Sequence, residues 1–250
     1  MLLFLPIVII IVVGVVLFLL GFHRVEQPRI PSFEGIEDPQ TTRAYDQISR
    51  WPQFRMVRLM IDRKLAGYSP VGTLADIGCG PGYLTTLIAQ RHPHLQVIGL
   101  DTSDEMVKAA GLNAADLGLS SRVKFSQGDA ANLPLPDGTL DFAVSTLSFH
   151  HWSHPENGLA EIHRALKTNG QLLLFDLRRD PRRFFMWVMR FAQGVVVPAP
   201  LRRANEPLGS LQSSYSFTEL EDILSKSNFE EYTIDGRTGW VFVWARKASQ

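Results

Sequence analysis

Hydrophobic and polar residues are distributed very differently before and after residue 23. Leu2 to Phe22 contains no charged side chain, and as a helix it would be about 31 Å long, which matches the hydrocarbon thickness of a bilayer. A cleaved signal peptide would have a basic start, and Gly21-Phe22-His23 is a poor cleavage site. A buried core helix would be neither this long nor wholly apolar. Residues 1–22 are therefore predicted to form a retained transmembrane anchor.

The charges that flank this run predict its orientation. Arg24 and Arg29 follow it, whereas nothing basic precedes it except the amino terminus, so the positive-inside rule places the folded domain in the cytoplasm. Residues 23–40 contain three prolines and are predicted to be a linker. The expected molecule is a single-pass membrane protein with one cytoplasmic domain over residues 41–250.

From residue 41 onward, short apolar runs alternate with amphipathic segments. A helical stretch at 41–65 is expected to break at Trp51-Pro52. Five apolar runs then predict strands, separated mostly by helices, at 73–77, 95–100, 123–127, 140–146 and 171–177. Two further runs, at 232–235 and 240–245, can pair with each other. This alternation predicts a doubly wound α/β sheet covered by helices on both faces.

Several helix boundaries can also be predicted. Tyr83 to Arg91 is expected to be a helix that ends before Pro93. Ser or Thr followed three positions later by Glu has the spacing of a capping box. That spacing predicts helix starts at Thr102–Glu105, Ser153–Glu156 and Ser216–Glu219.

Charge and cysteine content narrow the function. Lys and Arg total 25, Asp and Glu total 25, and the formal net charge is zero, so the whole protein is not expected to bind nucleic acid through its charge. Cys79 is the only cysteine, which excludes an intramolecular disulfide and a cysteine-based zinc site. No metal ion is predicted.

The strongest chemical signal is the glycine loop Asp76-Ile-Gly-Cys-Gly-Pro-Gly82, between the first predicted strand and its helix. Glycines are needed where backbone turns sharply and approaches a ligand, and a doubly wound sheet binds its ligand at this turn. Asp101 ends the second strand, where a carboxylate can accept both hydroxyls of a ribose. Asp129 follows the third strand, where it can meet an adenine amino group.

A dinucleotide cofactor is the alternative ligand. Its fingerprint, Gly-x-Gly-x-x-Gly, would require glycine at position 83, where this chain has Tyr83. The third glycine is instead Gly82. Asp76, before the loop, suits a ligand with a free amino group better than a pyrophosphate. NAD and FAD are therefore disfavoured.

These segments together resemble class I S-adenosylmethionine-dependent methyltransferases. The resemblance rests on Leu74 to Gly82, Gly99 to Ser103, Gly128 to Ala130 and Leu140 to Val144, and it extends from about Thr41 to Ala245. It is closest to the group that includes the ubiquinone and menaquinone biosynthesis methyltransferases. The family implies a Rossmann-like sheet of seven strands, the last antiparallel, with S-adenosylmethionine lying across the strand ends.

The resemblance also implies which residues bind the cofactor. Those that would face its methionine part are Asp76, Gly78, Cys79, Gly80 and Ser145. Those near its ribose would be Asp101, Thr102 and Met106, and those bordering its adenine would be Asp129 and Ala130. Tyr45 matches an N-terminal aromatic residue that closes over the site.

Three histidines after the fourth predicted strand are candidates for a catalytic base, namely His150, His151 and His154. A base is needed only when the methyl acceptor must lose a proton, and histidine can take one near neutral pH. His151 is the preferred candidate and His150 the second. Two alternatives stay open: the imidazoles cap the next helix or pack beside Trp152, or they bind a metal ion, for which they lack a fixed helical spacing.

A basic and aromatic insertion, residues 178–210, follows the fifth predicted strand. From Arg178 to Arg203 it contains seven arginines and one acid, Asp180. Its apolar part is too short and interrupted to span a bilayer. Aromatic residues between arginines suit a helix lying in an anionic membrane interface, with all seven arginines supplying charge. The alternatives are an acceptor-site lid packed on the domain and, against its aliphatic content, a nucleic-acid patch.

Three hypotheses for function follow. The first is an enzyme that methylates a lipid or another hydrophobic small molecule at the membrane surface. The second is a methyltransferase with a soluble acceptor, for which the anchor provides only location. The third is a membrane-bound scaffold that binds the cofactor without catalysis. The expected partners are a lipid bilayer and a hydrophobic small-molecule acceptor, with no nucleic acid and no inferred protein partner.

Overall fold

The computed structural model describes Gly14, Gly21, residues 23–32 and residues 38–249 of the 250-residue chain. The predicted span Leu2–Phe22 therefore lies outside the described residues, apart from the two glycines. Within the described ranges, no helix combines the length and the apolar character that crossing a bilayer requires.

Two helices precede the sheet. Helix α1 (Pro39–Ser49) and helix α2 (Pro52–Ala66) are separated at residues 50–51, which confirms the predicted break. Pro52 occupies the first turn of α2, where its fixed φ suits the helix and its missing N–H is not needed. Asp38 caps α1 by accepting the Thr41 N–H at 2.8 Å.

Strands and helices then alternate as predicted. The first part contains β1 (Thr73–Ile77), α3 (Tyr83–Arg91), β2 (Gln96–Asp101), α4 (Asp104–Asp116), β3 (Val123–Gln127), β4 (Leu140–Thr146), a 3-10 helix (Phe149–His151), α5 (Pro155–Ala165) and β5 (Leu166–Leu177). The second part contains α6 (Arg183–Phe191), a π-helical turn (Ala192–Val196), α7 (Ala199–Arg203), α8 (Leu208–Ser213), α9 (Phe217–Ser225), β6 (Glu231–Gly236) and β7 (Trp240–Arg246).

Within the described part of the chain, seven strands form one sheet in the order β3-β2-β1-β4-β5-β7-β6. β1 lies between β2 and β4 in parallel register, and β7 runs antiparallel between β5 and β6. The predicted Rossmann-like sheet with an antiparallel last strand is thereby confirmed. The strand order reverses between β1 and β4, so their carboxyl ends open the crevice where such sheets bind ligands.

Apolar layers cover both faces of this sheet. One layer includes Leu159 and Ile162 of α5 and Leu224 of α9, and the other includes Ile61 of α2 and Ile88 of α3. All five side chains are at most 1% exposed. Because burying one such side chain contributes about 1.5–3 kcal/mol, these layers fix the helices to the sheet and hold the strand ends in place.

The start of α4 differs from the prediction by one residue. Ser103 rather than Thr102 caps the helix, and its Oγ accepts the Met106 N–H at 3.3 Å. Asp101 Oδ1 accepts the Ser103 N–H at 3.0 Å. This bond fixes the turn ahead of the helix and leaves Thr102 exposed outside it.

The other two predicted capping boxes have opposite outcomes. Ser216 and Glu219 form the complete box at the start of α9. The box at Ser153 is wrong, because α5 begins at Pro155 after His154 and has no side-chain cap. Proline at the first helical position sets that start through its fixed φ.

The described part of the predicted linker lies along the insertion. The Val25 N–H donates to the Pro181 carbonyl at 3.0 Å, and the Arg183 N–H donates to the His23 carbonyl at 2.8 Å. Residues 23–32 are thus held by backbone hydrogen bonds to the segment around α6. We refer to these residues as the strap.

Candidate active site

The loop between β1 and α3 contains three glycines in the left-handed region. Gly78, Gly80 and Gly82 have φ values of +74°, +52° and +75°. A Cβ on Gly78 would lie 2.0 Å from the Ser148 Oγ, and one on Gly82 would lie 2.8 Å from the Cβ of α4's Ala110. A Cβ on Gly80 would meet nothing closer than a Tyr45 ring carbon at 3.7 Å. Gly78 and Gly82 therefore serve close packing, whereas Gly80 leaves space beneath Tyr45.

Asp101 at the end of β2 holds this loop. Its Oδ2 accepts the Gly80 N–H at 2.8 Å, and its Oδ1 accepts the Ser103 N–H. Burial raises the pKa of Asp101, and the backbone donors oppose that rise. Each carboxylate oxygen has two lone pairs, so Asp101 can also accept hydroxyl donors of a ligand.

Asp76 at the end of β1 is 1% exposed. The Thr85 Oγ donates to its Oδ2 at 2.6 Å. Burial raises the pKa of Asp76 to about 7, the Thr85 hydrogen bond opposes this rise, and the charge of Asp101 adds to it. A ligand ammonium would stabilise the charged carboxylate that burial disfavours.

A narrow cleft of about 70 Å³ runs along the loop. Five of the predicted cofactor residues line it: Tyr45, Asp76, Gly78, Cys79 and Gly80. Burial raises the pKa of Tyr45 to about 12, so its phenol stays protonated. A cavity of about 190 Å³ lies instead beside Asp141 and Lys167, at the amino ends of the strands. We assign the site to the smaller cleft, because it is lined by the glycine loop and by Asp76.

The other predicted cofactor residues lie at the carboxyl ends of the neighbouring strands or just beyond. Thr102 and Asp129 are exposed, whereas Met106, Ala130 and Ser145 are buried. The Ser145 Oγ has no hydrogen-bond partner among the described residues. The structure places these residues at the same end of the sheet as the glycine loop. Their roles in binding the cofactor stay predictions.

The sequence analysis missed residues of α1, α2 and α4 that surround the loop. The Tyr83 hydroxyl donates to Asp46 Oδ1 at 2.8 Å, and the Asn113 side-chain amide donates to the Pro81 carbonyl at 2.9 Å. Arg58 of α2 lines the cleft, and burial lowers its pKa. The sequence analysis used Tyr83 only as the start of a helix and as the residue that breaks the dinucleotide fingerprint, although a tyrosine beside the glycine loop can reach a polar partner.

His150 is the most deeply buried of the three histidines, at 1% exposure. Its Nδ1 is 2.6 Å from Asp176 Oδ1, and its backbone N–H donates to Asp176 Oδ2 at 2.9 Å. The Nε2 is buried and has no hydrogen-bond partner in the described part of the chain. Burial alone lowers the pKa of His150, but the Asp176 carboxylate outweighs burial and the pKa is raised.

His151 and His154 have different surroundings. The His151 Nδ1 is 3.0 Å from the Ser32 carbonyl, and burial, aided by the charge of His150, lowers its pKa to about 4. His154 is exposed at the start of α5. The geometry therefore favours His150 over His151 as a base, the reverse of the order that the sequence suggested, because His150 alone of the three has a carboxylate partner.

Helix α6 of the insertion presents an aromatic face to solvent. Phe184, Trp187 and Phe191 are 61%, 60% and 51% exposed. Their rings stack along the helix, with centroid distances of 6.2 and 5.8 Å. The opposite face buries Met186. A lid packed on the domain through these three aromatic residues is therefore inconsistent with the structure.

The prediction that all seven arginines face a membrane is wrong. Arg178 and Arg179 are each 4% exposed. Arg178 pairs with Asp180 and Arg179 with Glu219, both at 2.5 Å. The Arg179–Glu219 pair links the base of the insertion to α9, whereas the Arg178–Asp180 pair is local to the insertion. The exposed arginines are Arg183, Arg190, Arg202 and Arg203.

Comparison with known proteins identifies what this chain is similar to. Residues 75–174 match the family model described as a methyltransferase domain. A demethylmenaquinone methyltransferase from Thermus thermophilus is 30% identical over 125 residues, which cover 50% of this chain and 56% of that protein. A ubiquinone/menaquinone biosynthesis C-methyltransferase from Ectopseudomonas mendocina is 32% identical over 117 residues, 46% of each chain.

A solved structure shows the same fold. The crystal structure of a SAM-dependent methyltransferase from Aquifex aeolicus has a TM-score of 0.63 and 23% identity, and the match covers 84% of this chain and 99% of that one. The chain spans about half the length of the two curated relatives. The family match and the two curated relatives confirm the predicted resemblance to class I methyltransferases of the ubiquinone and menaquinone group, and they support an enzyme with S-adenosylmethionine as its cofactor. The solved structure confirms the fold.

Proposed function

We propose that this protein transfers a methyl group from S-adenosylmethionine to a lipid or another hydrophobic small molecule at a membrane surface. The observation that best supports the proposal is the set of residues at the carboxyl ends of the central strands. There the left-handed glycine loop, the buried Asp76 and Asp101, which accepts a loop N–H, lie near the histidine segment that contains His150.

The residues at this edge fit the parts of the cofactor. Gly80 carries no side chain against the Tyr45 ring, where a Cβ would lie in van der Waals contact at 3.7 Å, and Asp76 offers a carboxylate that a ligand ammonium would stabilise. Ser145 Oγ and Thr146 Oγ1 are buried polar atoms without a hydrogen-bond partner among the described residues. Buried polar atoms normally have partners, so these two support a polar ligand here.

The chemistry asks little of the protein beyond alignment. Bound S-adenosylmethionine supplies a methyl group that is already activated on a sulfonium sulfur. Asp76 and Asp101 would hold the ligand at two points of the glycine loop, and Tyr45 would exclude water from above. His150, oriented by Asp176, could take a proton from an acceptor that has one to lose.

Two features on one side of the molecule support a membrane surface. The His23 carbonyl, at the end of the apolar run, accepts the N–H of Arg183 at the start of α6. A Cβ on Gly21 would lie 3.6 Å from the Phe184 Cβ. The chain leaving the predicted anchor is thus joined to the helix with the exposed aromatic face. An aromatic face flanked by arginines is typical of helices that lie in a lipid interface.

The relatives support a hydrophobic acceptor. One is named a demethylmenaquinone methyltransferase and the other a ubiquinone/menaquinone biosynthesis C-methyltransferase, and quinones of that kind are hydrophobic molecules.

Mass spectrometry tests the proposal directly. Membranes that contain the full-length protein are incubated with methyl-labelled S-adenosylmethionine and then extracted with organic solvent. We expect labelled methyl in the lipid extract together with S-adenosylhomocysteine, and neither with an Asp101→Ala variant. Label confined to the water-soluble fraction would contradict the hydrophobic acceptor and favour the soluble one. Absence of S-adenosylhomocysteine would contradict methyl transfer and favour a scaffold.

A further inference from the structure

The cleft along the glycine loop contains a cation that no carboxylate neutralises. Arg58 of α2 lines this cleft and is half-buried. Its Nη1 donates to the Ser49 carbonyl at 2.7 Å, and its other N–H donors have no hydrogen-bond acceptor among the described residues. No described carboxylate forms an ion pair with it. Because removing a charge from water is unfavourable unless the charge is paired, Arg58 suits an anionic group of a ligand.

The neighbouring carboxylate, Asp46, is already engaged by other groups. Its Oδ1 accepts the Tyr83 hydroxyl at 2.8 Å, and its Oδ2 accepts a donor of Arg50 at 2.9 Å. The guanidinium carbons of Arg50 and Arg58 lie 5.7 and 5.2 Å from the centroid of the Tyr83 ring, within the range of a cation–π interaction. Asp46 thus neutralises Arg50 and fixes Tyr83, and it leaves Arg58 held against an aromatic ring without a counterion.

The same cleft also contains a negative charge. Asp76 lines it together with Arg58, and the two side chains do not pair with each other. A ligand that is only an anion, such as phosphate, would be repelled by the Asp76 carboxylate, and a ligand that is only a cation would be repelled by Arg58. A ligand with an ammonium and a carboxylate on the same carbon avoids both repulsions. The charges of the cleft therefore match an α-amino acid zwitterion.

We propose that Arg58, positioned by Tyr83, binds the carboxylate of the cofactor's amino-acid part and makes the site selective for ligands that keep this carboxylate. The inference rests on the proposed function and adds a specificity-determining residue to it. A planar guanidinium can donate two parallel N–H bonds to one carboxylate, and Arg58 has donors left for both. A decarboxylated form of the cofactor would still offer its ammonium to Asp76, but it would leave Arg58 unpaired.

Calorimetry with two ligands tests this assignment on the full-length protein in detergent at pH 8, where Asp76 is charged. The ligands are S-adenosylhomocysteine and S-adenosyl-3-thiopropylamine, which has the same adenosine, sulfur and ammonium but no carboxylate. We expect the wild type to bind S-adenosylhomocysteine at least about tenfold more tightly, as hydrogen bonds between charged groups predict. In Arg58→Gln this preference should disappear, because only the affinity for S-adenosylhomocysteine falls.

Two further kinds of variant separate charge from geometry. Arg58→Lys keeps the charge without the planar fork, so it should retain only part of the preference. Tyr83→Leu removes the ring against which Arg58 lies and should also reduce the preference. Tyr83→Phe keeps the ring and should retain most of it. A preference that is unchanged in Tyr83→Leu would overturn the positioning role of Tyr83.

Arg55→Gln is the matched control, because Arg55 is exposed on the same helix and its substitution removes the same charge. It should keep the full preference for S-adenosylhomocysteine. Equal wild-type affinities for the two ligands, or a preference that survives in Arg58→Gln, would overturn the role of Arg58 and leave the proposed function intact. Failure of the wild type to bind S-adenosylhomocysteine would overturn both. If Arg58→Gln does not fold, Arg58→Lys and Tyr83→Leu decide the question.

Discussion

The glycine loop and helix α6 both follow the carboxyl ends of strands, but the loop is tightly packed inside the protein whereas one face of α6 is exposed. In the loop, a single added carbon on Gly82 would approach both Ala110 and Phe125 within 3 Å. On α6, Trp187 and Phe191 leave half or more of their surface in solvent. The loop is thus fully determined by contacts inside the protein, whereas the outer face of α6 has contacts to gain from something outside it.

This difference distinguishes residues that are constrained by the fold from residues that indicate a binding partner. A residue whose neighbours are internal is constrained by the fold, and its substitution changes stability. A large apolar residue that stays exposed contributes little to folding, so its presence indicates interaction with a partner. Substitutions in the two regions should therefore affect different measurements.

The largest effect is expected at Gly82. In Gly82→Ala, the left-handed φ and the overpacking against Ala110 and Phe125 together should destabilise the fold by about 2–5 kcal/mol and weaken cofactor binding. Gly111→Ala is the matched control, since Gly111 is inside α4 with open space around it and alanine there should stabilise by about 0.5–1 kcal/mol. Denaturant unfolding of both variants measures the contrast. Equal stabilities would show that the loop is not tightly packed.

An intermediate effect is expected from the pH. Because the folded, cofactor-free protein has an Asp76 pKa of about 7, Asp76 is protonated below that pH and cannot pair with a ligand ammonium. The affinity for S-adenosylhomocysteine should then fall by up to about tenfold for each pH unit below 7. Calorimetry between pH 5.5 and 7.5 measures this, with the ligand's own ammonium charged throughout.

The same raised pKa has a consequence for stability with a defined sign. A carboxyl group whose pKa is higher in the folded state stabilises the fold at low pH and loses that contribution as the pH rises through about 7. Asp76→Asn should therefore bind the ligand weakly at every pH yet melt at a higher temperature than the wild type at pH 8. A wild-type affinity that stays constant from pH 5.5 to 7.5 would contradict the assignment of Asp76.

The smallest effect on folding is expected at Trp187. Trp187→Ala should change the free energy of unfolding by less than about 0.5 kcal/mol, because the side chain is 60% exposed. Its effect should appear instead in full-length protein reconstituted with brominated lipids, which quench nearby tryptophans. The wild type should be quenched more than Trp187→Ala, and Trp244→Phe provides the control within the sheet. Identical quenching of the wild type and Trp187→Ala would contradict the prediction that α6 lies in the membrane interface.

The sheet was predictable because its signals are local. The bounds of β1, β3, β4 and α3 match the prediction residue for residue, since each is an apolar or amphipathic run delimited by turn residues. The glycine loop was predictable for the same reason, as its conformation depends on glycines in consecutive turn positions.

The chemistry of the histidines was not predictable in the same way. The preference for His151 treated neighbouring imidazoles as equivalent, but Asp176 is 26 positions from His150 and only the pairing of β4 with β5 brings them together. The contact of Arg29 with the Ser213 carbonyl spans 184 positions. Hydrogen-bond partners this far apart in sequence are brought together by the whole topology, so they cannot be predicted from the spacing of residues along the chain.

The strap has a practical consequence for where the chain can be cut. Residue 41, the predicted start of the domain, looks like a natural boundary for a soluble fragment. A fragment that begins there would keep the glycine loop, Asp76 and Asp101, but it would lose Arg29 and the Ser32 carbonyl that His151 contacts. Such a fragment would keep the residues predicted to bind the cofactor but lose the strap contacts to His151 and Tyr215. Truncation alone would then separate cofactor binding from methyl transfer. A lack of activity in the fragment would result from the missing strap and would not show that the full-length protein is not an enzyme.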